Sequence, residues 1–171
     1  MLAALALAAV VVTAEPRSAD TVTPAVAAFS TACLDVRGDR TAFEAVADAQ
    51  GWSQVEAAPR NNDWIVSYRS AGLIIRLSQY QIATAGGEAV PGRICAVDRI
   101  EAGPDWEQQV SALKVDGRIL GKSTLPDPDI YQIPPGMEVR VWDLSDGSRI
   151  HASFIPARSY LELSINYPTG T

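Results

Sequence analysis

Residues 121–124 have the sequence Gly-Lys-Ser-Thr, which also closes the phosphate-binding loop of nucleotide hydrolases. That loop needs a glycine, four residues and then Gly-Lys-Ser/Thr, because its backbone N–H groups must wrap the phosphates before a helix begins. Here only three residues separate Gly117 from Gly121, and Asp116 stands where the first glycine is required. The Leu-Pro-Asp-Pro-Asp segment that follows cannot begin a helix. We therefore predict a hairpin turn at Asp116-Gly117 and a polar loop after it, not a nucleotide site.

His151 is the only histidine of the chain, so any Ser-His-Asp or Cys-His enzyme would have to use it. The pattern places it between Arg149 and Ser153 on the polar side of a predicted strand, which favours an exposed strand histidine. No serine of the sequence lies in a Gly-x-Ser-x-Gly turn. A serine hydrolase is therefore the less favoured interpretation.

Three aspartates, Asp105, Asp127 and Asp129, could supply carboxylates for acid-base catalysis or for calcium. The Asp-Pro-Asp sequence lacks the glycine and the terminal glutamate of a calcium loop. Prolines that flank aspartates more often set a turn than a site. We expect no metal, no cofactor and no compact catalytic set, while scattered carboxylates leave a small hydrolase open as an alternative.

The chain begins with an unbroken apolar run from Met1 to Val12, followed by the small residues Thr13 and Ala14. A run of about a dozen residues is too short to cross a bilayer of ~30 Å as a helix. Small residues at both cleavage subsites are typical of a secretory signal peptide. We predict that residues 1–14 are a signal peptide and that the mature chain begins at Glu15. A buried amino-terminal helix is the alternative.

Two cysteines, Cys33 and Cys95, are an even number in a chain predicted to be exported, where oxidation is the default state. A zinc site needs further ligands, and His151 cannot complete one without carboxylates that show no ligand spacing. A Cys-His nucleophile would need a thiol that stays reduced outside the cytoplasm. We therefore predict a Cys33–Cys95 disulfide.

The composition of the 171 residues is that of an ordinary globular domain, with 47% hydrophobic and 20% charged residues. We assign residues 22–171 to a single domain, and no later apolar run reaches membrane-spanning length. The formal charge of -6 argues against nucleic acid or an anionic membrane as a partner. This negative charge suits a partner protein with a basic surface.

The first elements of the mature chain are predicted to form a helical hairpin. Its first helix carries an apolar stripe that includes Cys33 and ends at Gly38. Its second helix begins with a capping box at Thr41, for which Asp39 is the rival cap, and it stops at Gly51.

Beyond the helical hairpin the apolar period changes to two, which indicates strands. Two strands flank a turn at Ser70-Ala71-Gly72, and a third strand places Cys95 and Val97 on one face. A further helix, with Trp106, Val110 and Leu113 on one stripe, precedes an extended loop at residues 122–136. Three more strands carry predicted inward stripes: Met137, Val139 and Val141; Ile150, Ala152 and Phe154; Leu161, Leu163 and Ile165.

This order of elements predicts an α+β fold. An N-terminal helical hairpin and one further helix would pack on one face of an antiparallel sheet of about six strands. If the face with Cys95 points inward, the disulfide joins the first helix to the sheet.

Two groups of side chains are candidates for contact with a partner. Trp142 shares a strand face with Glu138 and Arg140, so it would be exposed if the outer face of the sheet is open. The proline-rich loop adds the apolar residues Ile130, Tyr131 and Ile133, since long loops without regular structure are often functional. The alternative is that Trp142 and the loop pack on each other.

The segment FSTACLDVRGDRTAFEAVADAQGW, residues 29–52, together with a later strand cysteine, resembles small uncharacterised exported proteins of Gram-negative bacteria. The resemblance implies a periplasmic address and no particular activity. We therefore expect an exported periplasmic binding or envelope-accessory protein, whose partner is another envelope protein. An inhibitor of a basic secreted enzyme such as a lysozyme, and a small envelope hydrolase, are the alternatives.

Overall fold

The polypeptide folds into an α+β structure in which helices cover one face of an antiparallel sheet. It is seen in a computed structural model that describes residues 24–60, 63–83, 89–129 and 131–168. The predicted signal peptide, residues 1–14, lies outside the described residues. The predicted fold class is confirmed at this level.

The helices are α1 (Pro24–Phe29), which continues as a π-helical segment (Ser30–Leu34), then α2 (Arg40–Ala49) and α3 (Trp106–Ser111). The strands are β1 (Ser53–Arg60), β2 (Asp63–Ser70), β3 (Leu73–Ala83), β4 (Ala89–Glu101), β5 (Lys114–Val115), β6 (Arg118–Ile119), β7 (Glu138–Asp143), β8 (Arg149–Ile155) and β9 (Tyr160–Tyr167). A 3-10 turn (Pro156–Arg158) connects β8 to β9.

The main sheet has seven strands in the order β1-β2-β3-β4-β9-β8-β7. It consists of two meanders that meet where β4 pairs with β9, and β5 and β6 form a separate hairpin. The additional strand relative to the predicted six is β1. It is an edge strand with mostly exposed side chains and a proline, so its sequence shows no apolar alternation.

Gly38 turns the chain from the first helical segment into α2. Its φ is 75°, and a Cβ atom there would lie 2.8 Å from a ring carbon of Tyr167, so only glycine fits. Helix α2 begins at Asp39, whose side chain accepts a hydrogen bond from the Ala42 amide at 2.8 Å. The predicted capping box at Thr41 is wrong, because Thr41 lies within the first turn of the helix.

The inner face of the sheet, which is the side that the helices cover, carries the core. Leu77, Cys95, Ile165 and Ile150 form one register row across β3, β4, β9 and β8. All four are at most 2% exposed, and Phe29 of α1 belongs to the same buried cluster. Burial of each leucine, isoleucine or phenylalanine side chain in this cluster contributes about 1.5–3 kcal/mol relative to leaving it in water. The inward positions predicted for β4, β8 and β9 are confirmed.

The disulfide between Cys33 and Cys95 is present, with a Cα–Cα distance of 5.5 Å. Both residues are fully buried, so the bond connects the π-helical segment to β4 inside the core. The predicted pairing and its position between helix and sheet are confirmed.

Strand β7 is oriented opposite to the prediction. Trp142 pairs with Ile150 and therefore points to the inner face, whereas Val141 pairs with His151 on the outer face. Val139 and Val141 are nevertheless buried, which means that β7 is covered on both faces. Alternation reveals that a strand has two faces but does not reveal which one the helices cover, and this is why the prediction was wrong.

Candidate functional site

The outer face of the sheet, opposite the helices, carries a row of side chains of which three, Arg76, Ser164 and His151, are polar. Arg76, Ala96, Ser164, His151 and Val141 follow one another in register across β3, β4, β9, β8 and β7. Neighbours in such a row lie about 5 Å apart, which is close enough for hydrogen bonds or ion pairs. Any chemistry on this face must come from this row and the residues next to it.

Two carboxyl groups, Asp98 and Glu162, lie beside this row and share one cation. Arg76 pairs with Asp98 at 2.9 Å and with Glu162 at 3.5 Å. Asp98 is only 8% exposed, and its Oδ1 atom has no hydrogen-bond partner among the described residues. Burial, and then the neighbouring Asp98, raise the pKa of Glu162 above its ordinary value, while Arg76 acts in the opposite direction. A protonated Glu162 would donate a hydrogen bond to Asp98, which also favours the protonated form. Sequence analysis missed this pair, because it forms only when β4 lies next to β9.

Replacing Glu162 with Gln is expected to increase the free energy of unfolding at about pH 8, by less than about 1 kcal/mol because 37% of the Glu162 side chain is exposed. A raised pKa means that the folded state binds this proton more tightly than the unfolded chain, so ionising Glu162 disfavours folding. The advantage of E162Q should vanish as the pH falls through the raised pKa towards 4.5, the ordinary value.

Urea denaturation at a series of pH values measures this difference. Glu56 of β1 offers a matched control, since E56Q makes the same substitution at an exposed side chain. If E162Q were less stable than the parent at about pH 8, the ion pair with Arg76 would outweigh the burial of Glu162.

The surroundings of His151 on the outer face favour its neutral form. Burial, and then the nearby Arg149, lower its pKa, whereas Asp143 acts in the opposite direction. Its Nδ1 atom is buried and has no hydrogen-bond partner in the described part of the chain. A catalytic histidine needs an acceptor that orients the ring through this atom. The expectation of an exposed histidine is corrected to a half-buried one.

The proline loop, defined here as residues 122–129 and 131–136, runs from the edge of β7 onto the outer face. Thr124 and Val141 exchange two backbone hydrogen bonds, of 2.8 and 2.9 Å. The ring of Tyr131 then lies 5.7 Å from that of His151, with 30° between their planes. Together these contacts place Thr124 beside the edge strand β7 and Tyr131 against His151. The predicted extended loop is therefore observed, with attachments at two points.

The aspartates of the loop form a turn. The Asp127 side chain accepts a hydrogen bond from the Asp129 amide at 2.9 Å, and the Asp127 carbonyl accepts one from the Tyr131 amide at 2.8 Å. In the described ranges, no group of three or more His, Cys, Asp or Glu residues could hold a metal ion. The turn interpretation of these prolines and aspartates agrees with this geometry.

The candidate contact residues fall into different environments. Tyr131 and Ile133 are 40% and 39% exposed, and neighbouring Leu125, which sequence analysis did not select, is 69% exposed. Trp142 is only 3% exposed, and its indole N–H donates to the Gly121 carbonyl at 3.0 Å. The expectation that Trp142 is a surface contact is therefore wrong. Ile130 lies outside the described residues.

The Gly-Lys-Ser-Thr segment has no phosphate-binding geometry. Ser123 donates a hydrogen bond to Glu107, and the same carboxylate accepts one from Arg140 at 3.1 Å. Lys122 lines a shallow cleft together with the acidic residues Asp105 and Glu107. A carboxylate next to the serine would repel a phosphate, and an irregular segment, not a helix, follows.

Replacing Lys122 with Ala is therefore expected to change the free energy of unfolding by no more than about 0.5 kcal/mol, because the side chain is exposed. Thermal denaturation measures the stability, and fluorescent ATP analogues measure nucleotide binding. Saturable binding of the analogue that disappears in K122A would contradict this interpretation.

A cleft of ≈ 450 Å³ separates the β5–β6 hairpin from the turn between β7 and β8. Its acidic rim is already paired with basic residues. Arg37 contacts both Asp116 and Asp146, and Arg149 pairs with Asp143 at 2.5 Å. The acidic rim is therefore neutralised, and Arg118 is the charged lining residue that has no ion pair among those described.

None of the helices in the described ranges has the length and apolar character to cross a membrane. Comparison with protein-family models, with curated protein sequences and with solved structures found no significant match to this chain.

Proposed function

We propose that this protein is exported to the periplasm and acts there as a binding or envelope-accessory protein, not as an enzyme. The observation that carries the proposal is that the two faces of the sheet differ in what covers them. Helices bury the inner face, while the outer face holds a loop with exposed apolar side chains. Exposed apolar groups that are held in a fixed position are typical of contact surfaces. On the outer face, Arg76 forms ion pairs with both Asp98 and Glu162, which does not favour catalysis.

The periplasmic location is supported by two features. A buried disulfide suits an oxidising compartment, and the apolar run of residues 1–12 suits a signal peptide. The resemblance of residues 29–52 to small exported proteins of Gram-negative bacteria agrees with both.

A fusion of residues 1–20 to a reporter that is active only outside the cytoplasm is expected to be active. Cleavage after Ala14 should give a mature chain that begins at Glu15, as read by amino-terminal sequencing. A fusion that starts at Glu15 is the control and should be inactive. Recovery of the envelope protein with an intact Met1 would contradict the proposed signal peptide.

The binding role is tested by co-purification of the mature protein with a saturable, stoichiometric partner from the envelope of the source cells. A partner with a defined stoichiometry would support the proposal. Release of product from envelope glycan or peptide, with no such partner, would favour the hydrolase alternative. The adjacent carboxyl groups of Asp98 and Glu162 are the observation behind that alternative. Under it, Asp98→Asn should abolish the release of product.

Inhibition of a basic secreted enzyme is the second candidate function. The acidic and apolar character of the exposed loop is the observation that favours it. An inhibitor should reduce the rate at which a purified lysozyme degrades peptidoglycan, and the effect should saturate at a stoichiometric ratio. Undiminished activity at a large molar excess of this protein would eliminate lysozyme as the target.

A further inference from the structure

The proline loop concentrates exposed apolar surface. Five large apolar side chains are strongly exposed among the described residues, and three of them, Leu125, Tyr131 and Ile133, belong to this loop. The other two, Val55 and Ile119, lie apart from it on β1 and β6. Scattered apolar residues on a surface are normal, whereas a cluster within nine residues indicates a contact surface.

The charge of the loop is mostly acidic. Beyond Lys122 at its start, residues 123–139 contain Asp127, Asp129 and Glu138 and no lysine, arginine or histidine. All three acidic residues are exposed, and none of them takes part in an ion pair among those described. Complementary charge speeds encounter and selects the partner, so this surface fits a basic surface.

The loop is also restrained before any partner arrives. Thr124 is paired with β7, Tyr131 lies on His151, and the Asp127 turn fixes the chain between them. Four prolines at positions 126, 128, 134 and 135 further limit the backbone. A segment that is already ordered loses little conformational entropy on binding, so more of its contact energy appears as affinity.

We infer that the proline loop is the partner-binding segment, and that it inserts Leu125, Tyr131 and Ile133 into an apolar pocket rimmed by lysine or arginine on a basic protein. This inference rests on the proposed binding function and specifies its surface and its partner. The buried Trp142 has no part in the contact.

Site-specific photocrosslinking locates the contact surface. Benzoylphenylalanine replaces Leu125 or Ile133 in the full mature chain, and Val55 on β1 is the control position, with a comparable exposure of 50%. After irradiation in envelope extract, a single species should be crosslinked from positions 125 and 133 and not from position 55. Its identification by mass spectrometry should give a basic protein.

The outcomes separate the surface from the function. Crosslinks from position 55 alone would overturn the assignment to the loop but leave a binding function in place. An acidic partner crosslinked from the loop would overturn the predicted chemistry. If none of the three positions gave a crosslink and no partner co-purified, both the inference and the proposed function would fail.

Titration with the purified partner, once crosslinking has identified it, then measures the affinity and the association rate. Leu125→Ser should raise the dissociation constant by about tenfold or more, as expected for the loss of a central apolar contact. The pair Asp127→Asn and Asp129→Asn retains an oxygen that can accept the hydrogen bond of the turn, so it removes charge alone. It should slow association by about tenfold at low salt and by less at high salt. Val55→Ser should leave both constants unchanged, and equal losses in Val55→Ser and Leu125→Ser would overturn the inference.

Discussion

The double variant Cys33→Ala/Cys95→Ala is expected to unfold with a free energy about 4 kcal/mol below that of the parent. The bond closes a loop with a sequence separation of 62 residues, and the chain entropy of that loop is the source of the effect. Because the net stability of a domain is about 5–15 kcal/mol, this loss is large. Urea denaturation followed by circular dichroism measures it.

The position of the bond determines what should survive its removal. Cys33 belongs to the π-helical segment, and Cys95 lies at the centre of the sheet between Leu77 and Ile165. Without the bond, the segment is still held by Val26 and Phe29 in the core, so the strand signal should persist. The parent protein after reduction should resemble the double variant. Identical denaturation midpoints with and without the bond would show that it does not stabilise the fold.

Replacing Trp142 with Ala is expected to lower the free energy of unfolding by about 3–5 kcal/mol, because it empties a large buried site. The indole is 3% exposed and belongs to the core cluster with Ile150 and Phe154. Trp142→Phe retains most of the ring but leaves the Gly121 carbonyl without its donor, so it should cost less, with about 1–3 kcal/mol from the unsatisfied acceptor. Chemical denaturation of both variants gives the two values.

Ile133→Ala is the matched control for the Trp142 variants. Ile133 is 39% exposed, so its truncation should change the stability by no more than about 0.5 kcal/mol. Substitution of Trp142 should therefore lower the stability, whereas substitution of Ile133 should weaken partner binding. If Trp142→Ala kept full stability and lost the partner, Trp142 would be a contact residue after all.

Local features were predictable from the sequence because they depend on a few neighbouring residues. The Asp116-Gly117 hairpin turn is observed with φ values of 52° and 74°, which an Asp-Gly pair adopts readily. The end of α2 at Ala49, with positive φ at Gly51, also agrees with the prediction, whereas the first helical segment ends at Leu34, four residues before the predicted stop at Gly38. The disulfide followed from a cysteine count of two and from the apolar faces on which Cys33 and Cys95 lie.

The tertiary structure decided everything that depends on which elements become neighbours. Pairing of β4 with β9 brings Asp98 near Glu162, although 63 other residues separate them along the chain. No local pattern reports such a contact, because strand alternation is the same whichever strand lies beside it. The direction of Trp142 was undetermined for a related reason. Both faces of β7 carry buried residues, and only the packing of the inner face in the core cluster makes Trp142 a core residue, whereas Leu125 stays exposed.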